Sequence, residues 1–170
     1  MTHAEAAITK IIIEPLANHH NKTDFTCAEE TLNHYLKRQA KEDVKRRISR
    51  VFVAVYENKP NSILGYYTLS SLSIDLSLLP AELAKKLPKY TIPCALIGRL
   101  AVDSRYQGNG IGKLLLADAL KRTLSLSYDI DIYAMIVDAL NDNAQQYYEK
   151  FGFCKLDMDT RRLYLPLKSI

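Results

Sequence analysis

At 170 residues the chain can bury one substantial core, and its 48% apolar and 25% charged content is that of an ordinary soluble protein. No run approaches the ~20 apolar residues that cross a bilayer. Met1-Thr2-His3-Ala4-Glu5 lacks the basic-then-apolar opening of a secretory signal, so a single cytoplasmic domain spanning 1–170 is expected. The net charge of +4 gathers between Lys37 and Arg50, a local basic stretch that suits a polyanionic partner.

The first element is a β-branched run, Ile8 to Ile13, a predicted strand ended by Pro15. Asn18 to Thr26 is polar and loop-like. A helix is predicted to begin at Thr26 or Cys27, with Glu29 and Glu30 in its first turn and Leu32, Tyr35 and Leu36 along one face. The basic run continues it as helix or helix–turn. Val51 to Tyr56 reads as a strand, Glu57 to Asn61 as a turn, and Ile63 to Ile74 as a longer strand completing a hairpin, with Gly65 inside it. Pro80 to Leu87 suggests a short helix, and Pro88 and Pro93 bracket the approach to an apolar strand, Cys94 to Val102.

Beyond that strand lies Arg105-Tyr106-Gln107-Gly108-Asn109-Gly110-Ile111-Gly112-Lys113, and then a helical pattern from Ile111 to Leu126. Strand, glycine-rich turn and helix together offer unpaired N–H groups and a partial positive charge to a phosphate. A tight turn alone would also account for the glycines. Two nucleotide motifs are excluded: Lys113 is not followed by Ser or Thr, and no third glycine gives the dinucleotide spacing. Ile130 to Leu140 reads as the next strand, reached by a right-handed crossover and so parallel to Cys94–Val102. A short helix over Asn141 to Lys150, a turn at Phe151-Gly152-Phe153 and a closing strand from Arg162 to Leu167 complete the order.

Cys27, Cys94 and Cys154 are odd in number and share no ligand spacing, which points to reduced thiols. All four histidines sit near the N-terminus, with His19-His20 in a polar run, and no metal is expected.

Gln107-Gly108-Asn109-Gly110-Ile111-Gly112 resembles the acyl-CoA signature Gln/Arg-x-x-Gly-x-Gly/Ala of the GNAT superfamily of N-acetyltransferases. Asn141-Asp142-Asn143-Ala144-Gln145-Gln146-Tyr147-Tyr148-Glu149-Lys150-Phe151-Gly152-Phe153 resembles its second hallmark, Asn-x-x-Ala-x-x-x-Tyr-x-x-x-Gly-Phe, at matching spacing. The resemblance implies an α/β (α+β) fold in which a mixed sheet, flanked by helices, carries a splayed parallel strand pair. It implies acetyl-CoA as co-substrate and no metal. Leu100, Ala101 and Val102 would hold the pantetheine arm, and Gln107, Gly108, Asn109, Gly110, Ile111, Gly112 and Lys113 the pyrophosphate. Asn141 and Tyr148 would face the thioester.

For Tyr147 a core role is the better expectation; Tyr148 takes the family's tyrosine place, where a hydroxyl approaches the CoA sulfur. Full proton transfer from a phenol of pKa ~10 to a thiolate whose acid has pKa ~8.5 is uphill by roughly 2 kcal/mol. Tyr148 is therefore expected to hydrogen-bond the departing thiolate, or to have its pKa lowered by nearby cations. Cys94 to Val102 carries no carboxylate to serve as a base. Asp103 falls after the strand, where a turn role is as plausible, and nothing places Asp75 or Glu82. A lysine amine of pKa ~10.4 needs such a base, whereas an α-amine of about 7.7–8.0 is nearly neutral already.

A narrower resemblance is carried by Phe25-Thr26-Cys27-Ala28-Glu29-Glu30-Thr31-Leu32-Asn33-His34-Tyr35-Leu36, Gly65-Tyr66-Tyr67-Thr68-Leu69 and Ile97-Gly98-Arg99-Leu100-Ala101-Val102-Asp103. These are similar to the acetyltransferase toxins of bacterial type II toxin–antitoxin systems, over nearly all of the chain from Ile11. Ala28 departs from the glycine usual there. The resemblance implies acetylation of the α-amino group of aminoacyl-tRNA, a block of translation, and restraint by a ribbon–helix–helix antitoxin. Lys37, Lys41, Lys45, Arg46, Arg47 and Arg50 would then line a tRNA-phosphate track, with Arg99 near the acceptor end; a solvated helix face is the plain alternative. Two further readings stay open: a GNAT enzyme for a small amine or protein N-terminus, and a catalytically dead acyl-CoA- or RNA-binding module. Homodimerisation is equally open.

Overall fold

The computed structural model describes residues 9–87 and 91–170. Seven strands form one sheet in the order β1-β2-β3-β4-β5-β7-β6: β1 Ile11–Pro15, β2 Arg50–Tyr56, β3 Gly65–Ile74, β4 Ile92–Val102, β5 Ala134–Asp138, β6 Cys154–Lys155 and β7 Arg162–Pro166. The helices are α1 Glu30–Arg38, α2 Ala40–Lys45, α3 Ala81–Ala84, α4 Ile111–Leu126 and α5 Asp142–Glu149. The sheet is mixed, with β4 and β5 parallel, as the sequence implied. Their ladder runs from Cys94–Ala134 to Ile97–Val137, and β4 then continues to Val102. β1 pairs antiparallel with β2 from Ile11–Tyr56 to Pro15–Phe52. It is the edge strand, where the missing N–H of Pro15 removes no ladder bond.

The chain packs as two units, one drawn from residues up to Thr68 and from Arg99–Asp118, the other from Leu69–Gly98 and Ala119–Ile170. In the first, Val51, Val53 and Val55 of β2 share a core with Phe25, Leu36 and Tyr66. The intervening Phe52 stacks on Tyr67 at 5.2 Å, so β2 is buried on both faces and reads as a continuous apolar run. In the second, Ile74, Leu79, Ile92, Cys94, Ala134 and Ile136 close a separate cluster with Leu156 and Tyr164. Cys27 and Cys94 are buried free thiols and Cys154 is an exposed one. Among the described residues no helix is long and apolar enough to cross a membrane.

Four boundaries differ from expectation. α1 starts at Glu30 because the Asn33 side chain clasps Cys27, accepting its N–H at 2.8 Å and donating to its carbonyl at 3.0 Å. That holds Thr26 and Cys27 outside the helix. β5 is shorter than Ile130–Leu140: Ile130 is 61% exposed, flanked by Asp129 and Asp131, and the strand begins only at Ala134. β6 is two residues long, too short for an alternating pattern to announce. Only Ala81–Ala84 of the expected 80–87 helix forms. The proposed start of β1 at Ile8, and Pro88, lie outside the described residues.

Gly65 shows what holds β3 in place. A Cβ there would stand 2.8 Å from the Ala101 carbonyl oxygen and 2.9 Å from Cδ1 of Leu115. The close approach of β3 to β4 and α4 requires the absence of a side chain. Gly65→Ala is expected to lower unfolding free energy by about 1–3 kcal/mol in urea titrations.

Candidate functional site

α4 begins at the glycine-rich turn. Its first intrahelical bond runs from the Leu114 N–H to the Gly110 carbonyl at 3.1 Å. The N–H groups of Gly110, Ile111, Gly112 and Lys113 therefore have no acceptor within the helix. No acidic side chain occupies the first turn of α4, so its partial positive charge is not neutralised locally. Gly108 and Gly110 adopt φ values of 82° and 80°, and a Cβ on either would meet no heavy atom within 4 Å. Conformation, not crowding, demands glycine at these two positions. Ile111 is 1% exposed, so its side chain belongs to the core and only its amide can serve a ligand. Gln107 donates from Nε2 to the Val102 carbonyl at 3.1 Å, tying the turn back to the end of β4. This arrangement suits an anionic group such as a pyrophosphate.

Asp103, directly after β4, is fully buried. Its carboxylate accepts the Arg105 N–H at 2.9 Å, Arg105 Nε at 2.9 Å and Nη2 at 2.8 Å, and the Thr26 N–H at 3.2 Å. Burial pushes its pKa up, but the Arg105 and Thr26 hydrogen bonds outweigh it and hold the carboxyl below the usual range. Every lone-pair direction is committed, so Asp103 is a structural anchor and not a base. Asp75 is exposed and caps its own turn, accepting the N–H and hydroxyl of Ser77 at 2.9 and 2.8 Å. Those bonds keep it below the usual carboxylate range, making it a weaker base still.

In the other unit, Asn141 is the N-cap of α5, its Oδ1 accepting the Ala144 N–H at 2.9 Å. Part of its predicted role is thus taken by helix capping. Tyr148, near the end of α5, is 6% exposed and makes edge contacts with Phe153 and Tyr147 at ring separations of 5.8 and 5.6 Å. Among the described residues nothing hydrogen-bonds its hydroxyl. Burial, then the neighbouring Tyr147, push its pKa up. The expectation that cations might lower it is overturned, since no cation contributes. Tyr148 therefore stays protonated. Tyr147 packs its ring edge-on against Phe151 at 5.1 Å, but both are only half-buried, so the core role expected of Tyr147 falls instead to Tyr148, the buried residue of α5.

The basic residues lie on α1, α2, the turn after them and the first residue of β2. Lys41, Lys45, Arg46, Arg47 and Arg50 are exposed and Lys37 is half-buried. Arg46 pairs with Glu42 at 3.5 Å, one helical turn away. Arg99 of β4 joins this group through a contact that the sequence did not reveal: its guanidinium lies 3.6 Å from the ring centroid of buried Tyr35 on α1. The Tyr35 hydroxyl donates to Asp43 of α2 at 2.8 Å. Burial first, and then Asp43, push the Tyr35 phenol up to about 12, with Arg99 opposing. One aromatic side chain thus fixes both the α1–α2 corner and Arg99.

Glu14, His19 and His20 bring potential metal-ligand atoms within 4.8 Å of one another. The His20 Nδ1, however, accepts the Ala17 N–H at 2.9 Å, which puts the ring proton on Nε2, 2.8 Å from Glu14. A ring in that tautomer has no lone pair to offer at Nε2. The cluster is a hydrogen-bonded clasp on the loop after β1.

Residues 14–153 match the model of the acetyltransferase (GNAT) family. The chain is 30% identical over 176 residues to a probable toxin TacT of Sinorhizobium fredii, covering 98% of this chain and 97% of that protein. It is 33% identical over 147 residues to a tRNA-acetylating toxin of Mycobacterium tuberculosis, covering 86% of each. Among solved structures, AtaT complexed with acetyl-methionyl-tRNAfMet superposes with a TM-score of 0.88 at 32% identity, over 94% of this chain and 96% of that one. A variant of AtaT bound to the C-terminus of the antitoxin AtaR and acetyl-CoA gives 0.80 at 30% identity, over 94% of each.

Asp103→Asn should destabilise the protein by about 2 kcal/mol at pH 7, the loss expected of hydrogen bonds to a buried charge. Because the folded carboxyl titrates below its unfolded value near ~3.9, this contribution is present above that pH and fades as the pH falls through the lower, folded value. Urea melts of both proteins at stepped pH should show the gap closing on the acid side.

Proposed function

Because the chain belongs to the GNAT family of acetyltransferases, we propose that it transfers the acetyl group of acetyl-CoA to the α-amino group of aminoacyl-tRNA. The product cannot be elongated normally, so the protein acts as a translation-blocking toxin. The observation that carries this reading is its length-spanning likeness to AtaT, a protein seen with acetyl-methionyl-tRNA. The exposed cations of α1 and α2, with Arg99 stacked on Tyr35, supply the charge that a tRNA backbone requires.

On this reading the amides of Gly108 to Lys113 receive the pyrophosphate and the backbone of Leu100 to Val102 receives the pantetheine arm. The amine nitrogen attacks the thioester carbonyl carbon, a C–N bond forms, and the C–S bond breaks to release CoA as a thiolate. Tyr148 donates its O–H to the sulfur as charge develops there and retains its proton. Asn141 orders the start of the helix that carries it. The proton lost by the amine goes to solvent. Asp103 and Asp75 are both engaged locally, and an α-amine of about 7.7–8.0 needs little help to be neutral. This chemistry favours an aminoacyl ester over a lysine side chain. The cellular site is the cytoplasm, and restraint falls to a cognate antitoxin of the ribbon–helix–helix class.

Tyr148→Phe is expected to lower kcat about 10²-fold with little change in the KM for acetyl-CoA, the loss typical of one transition-state donor. Expression of the native chain should arrest growth, and the same substitution should relieve the arrest. A fully toxic phenylalanine variant would remove Tyr148 from the mechanism. Growth arrest without loss of protein synthesis would instead favour a small-amine or N-terminal substrate.

A further inference from the structure

The corner between α2 and β2 breaks two rules of local stability at once. After α2 the chain closes with paired bonds: the Arg47 N–H reaches the Val44 carbonyl at 3.1 Å and the Ile48 N–H reaches the Asp43 carbonyl at 2.9 Å. This is the helix-ending motif whose left-handed position is ordinarily glycine. Here that position is Arg47, with φ 62°, and among the described residues it is the one non-glycine with positive φ. An arginine there carries a steric penalty that glycine would not.

The residue after it commonly packs an apolar side chain onto the preceding helical turn. At Ile48 the facing helix positions are Glu42 and Asp43, and the isoleucine is left 59% exposed. Charge is also unspent. Arg46 is paired with Glu42, but among the described residues no carboxylate pairs with Arg47. Lys45 and Arg50 flank the corner, both exposed. A strained backbone, an unpaired guanidinium and a solvent-facing isoleucine thus fall on two consecutive residues inside the basic run. Local rules are broken in this way where a ligand repays the cost.

We infer that the Arg47–Ile48 corner is an RNA-contact point in which fold stability is exchanged for binding. Arg47 takes a backbone phosphate and Ile48 lies against a ribose or base face. The inference rests on charged tRNA being the substrate and assigns the recognition of its backbone to this corner. It gives stability and affinity opposite signs, which a merely solvated cation or a merely structural turn does not.

The test uses the full chain, unfractionated charged tRNA as probe, and Arg47→Gly, Arg47→Lys and Ile48→Ser. Arg47→Gly should raise Tm by about 2 °C, by relieving the strain. It should also weaken tRNA binding about 5- to 10-fold and reduce the slope of log Kd against log salt by about one. Acetyl-CoA affinity should not change. Arg47→Lys should retain the salt slope with no gain in Tm. Ile48→Ser should weaken tRNA binding about threefold at an unaltered slope. A more stable Arg47→Gly protein with unchanged tRNA affinity overturns the inference, as does a less stable one. So does displacement of tRNA by polyglutamate with the same dependence on Arg47, because the corner would then read acidic chains of any kind. If the native protein neither binds nor acetylates charged tRNA, the functional reading fails and this inference falls with it; the outcomes above presuppose that it does both.

Discussion

A buried carboxylate at the end of β4 organises the half of the molecule in which the glycine-rich turn and the basic helices lie. Asp103 collects the Thr26 N–H, the Arg105 N–H and the Arg105 guanidinium. It thereby ends the strand, starts the turn and ties down the segment that leads into α1. The Asp103 N–H bonds to Leu64 and the Ser104 N–H to Thr26, so backbone and side chain act on the same junction. A buried charge this thoroughly hydrogen-bonded is tolerated because its partners replace the water it lost. The same saturation leaves the acid nearest the glycine-rich turn in sequence no free lone pair with which to take a proton.

With that carboxylate committed, the chemistry available narrows. The amides at the start of α4 suit an anion, Tyr148 remains a neutral phenol, and Asp103 and Asp75 are engaged in their own turns. On the proposed reading, a hydrogen-bond donor without a free base selects amines that are already largely neutral. That selection agrees with an aminoacyl ester and with a basic surface held by Tyr35, whose ring carries Arg99 and whose hydroxyl reaches Asp43.

Much of this was legible in the residues. The β4–α4 junction was readable because apolar run, glycine-rich turn and helical period follow one another without interruption, and α4 spans Ile111–Leu126 as the pattern predicts. The residues also located α5, although the capping role of Asn141 was not foreseen. What escaped were features set by distant partners. Asn33 reaching back to Cys27 delays α1, and the aspartates around Ile130 leave that stretch in solvent. Arg99 on Tyr35 and Glu14 with His20 are contacts between residues that no period or spacing connects. The left-handed Arg47 was hidden for a different reason, since glycine is the signal for that conformation and it is absent.

The proposed reaction is acetylation of the α-amine of a charged tRNA. Incubation of the purified protein with labelled acetyl-CoA and total charged tRNA, followed by mass analysis of the released aminoacyl adenosines, tests it most directly. One or a few aminoacyl adenosines should be heavier by a single acetyl group on the α-nitrogen, with deacylated tRNA unlabelled. Label found only on small amines or protein N-termini, with every aminoacyl adenosine unmodified, would contradict it.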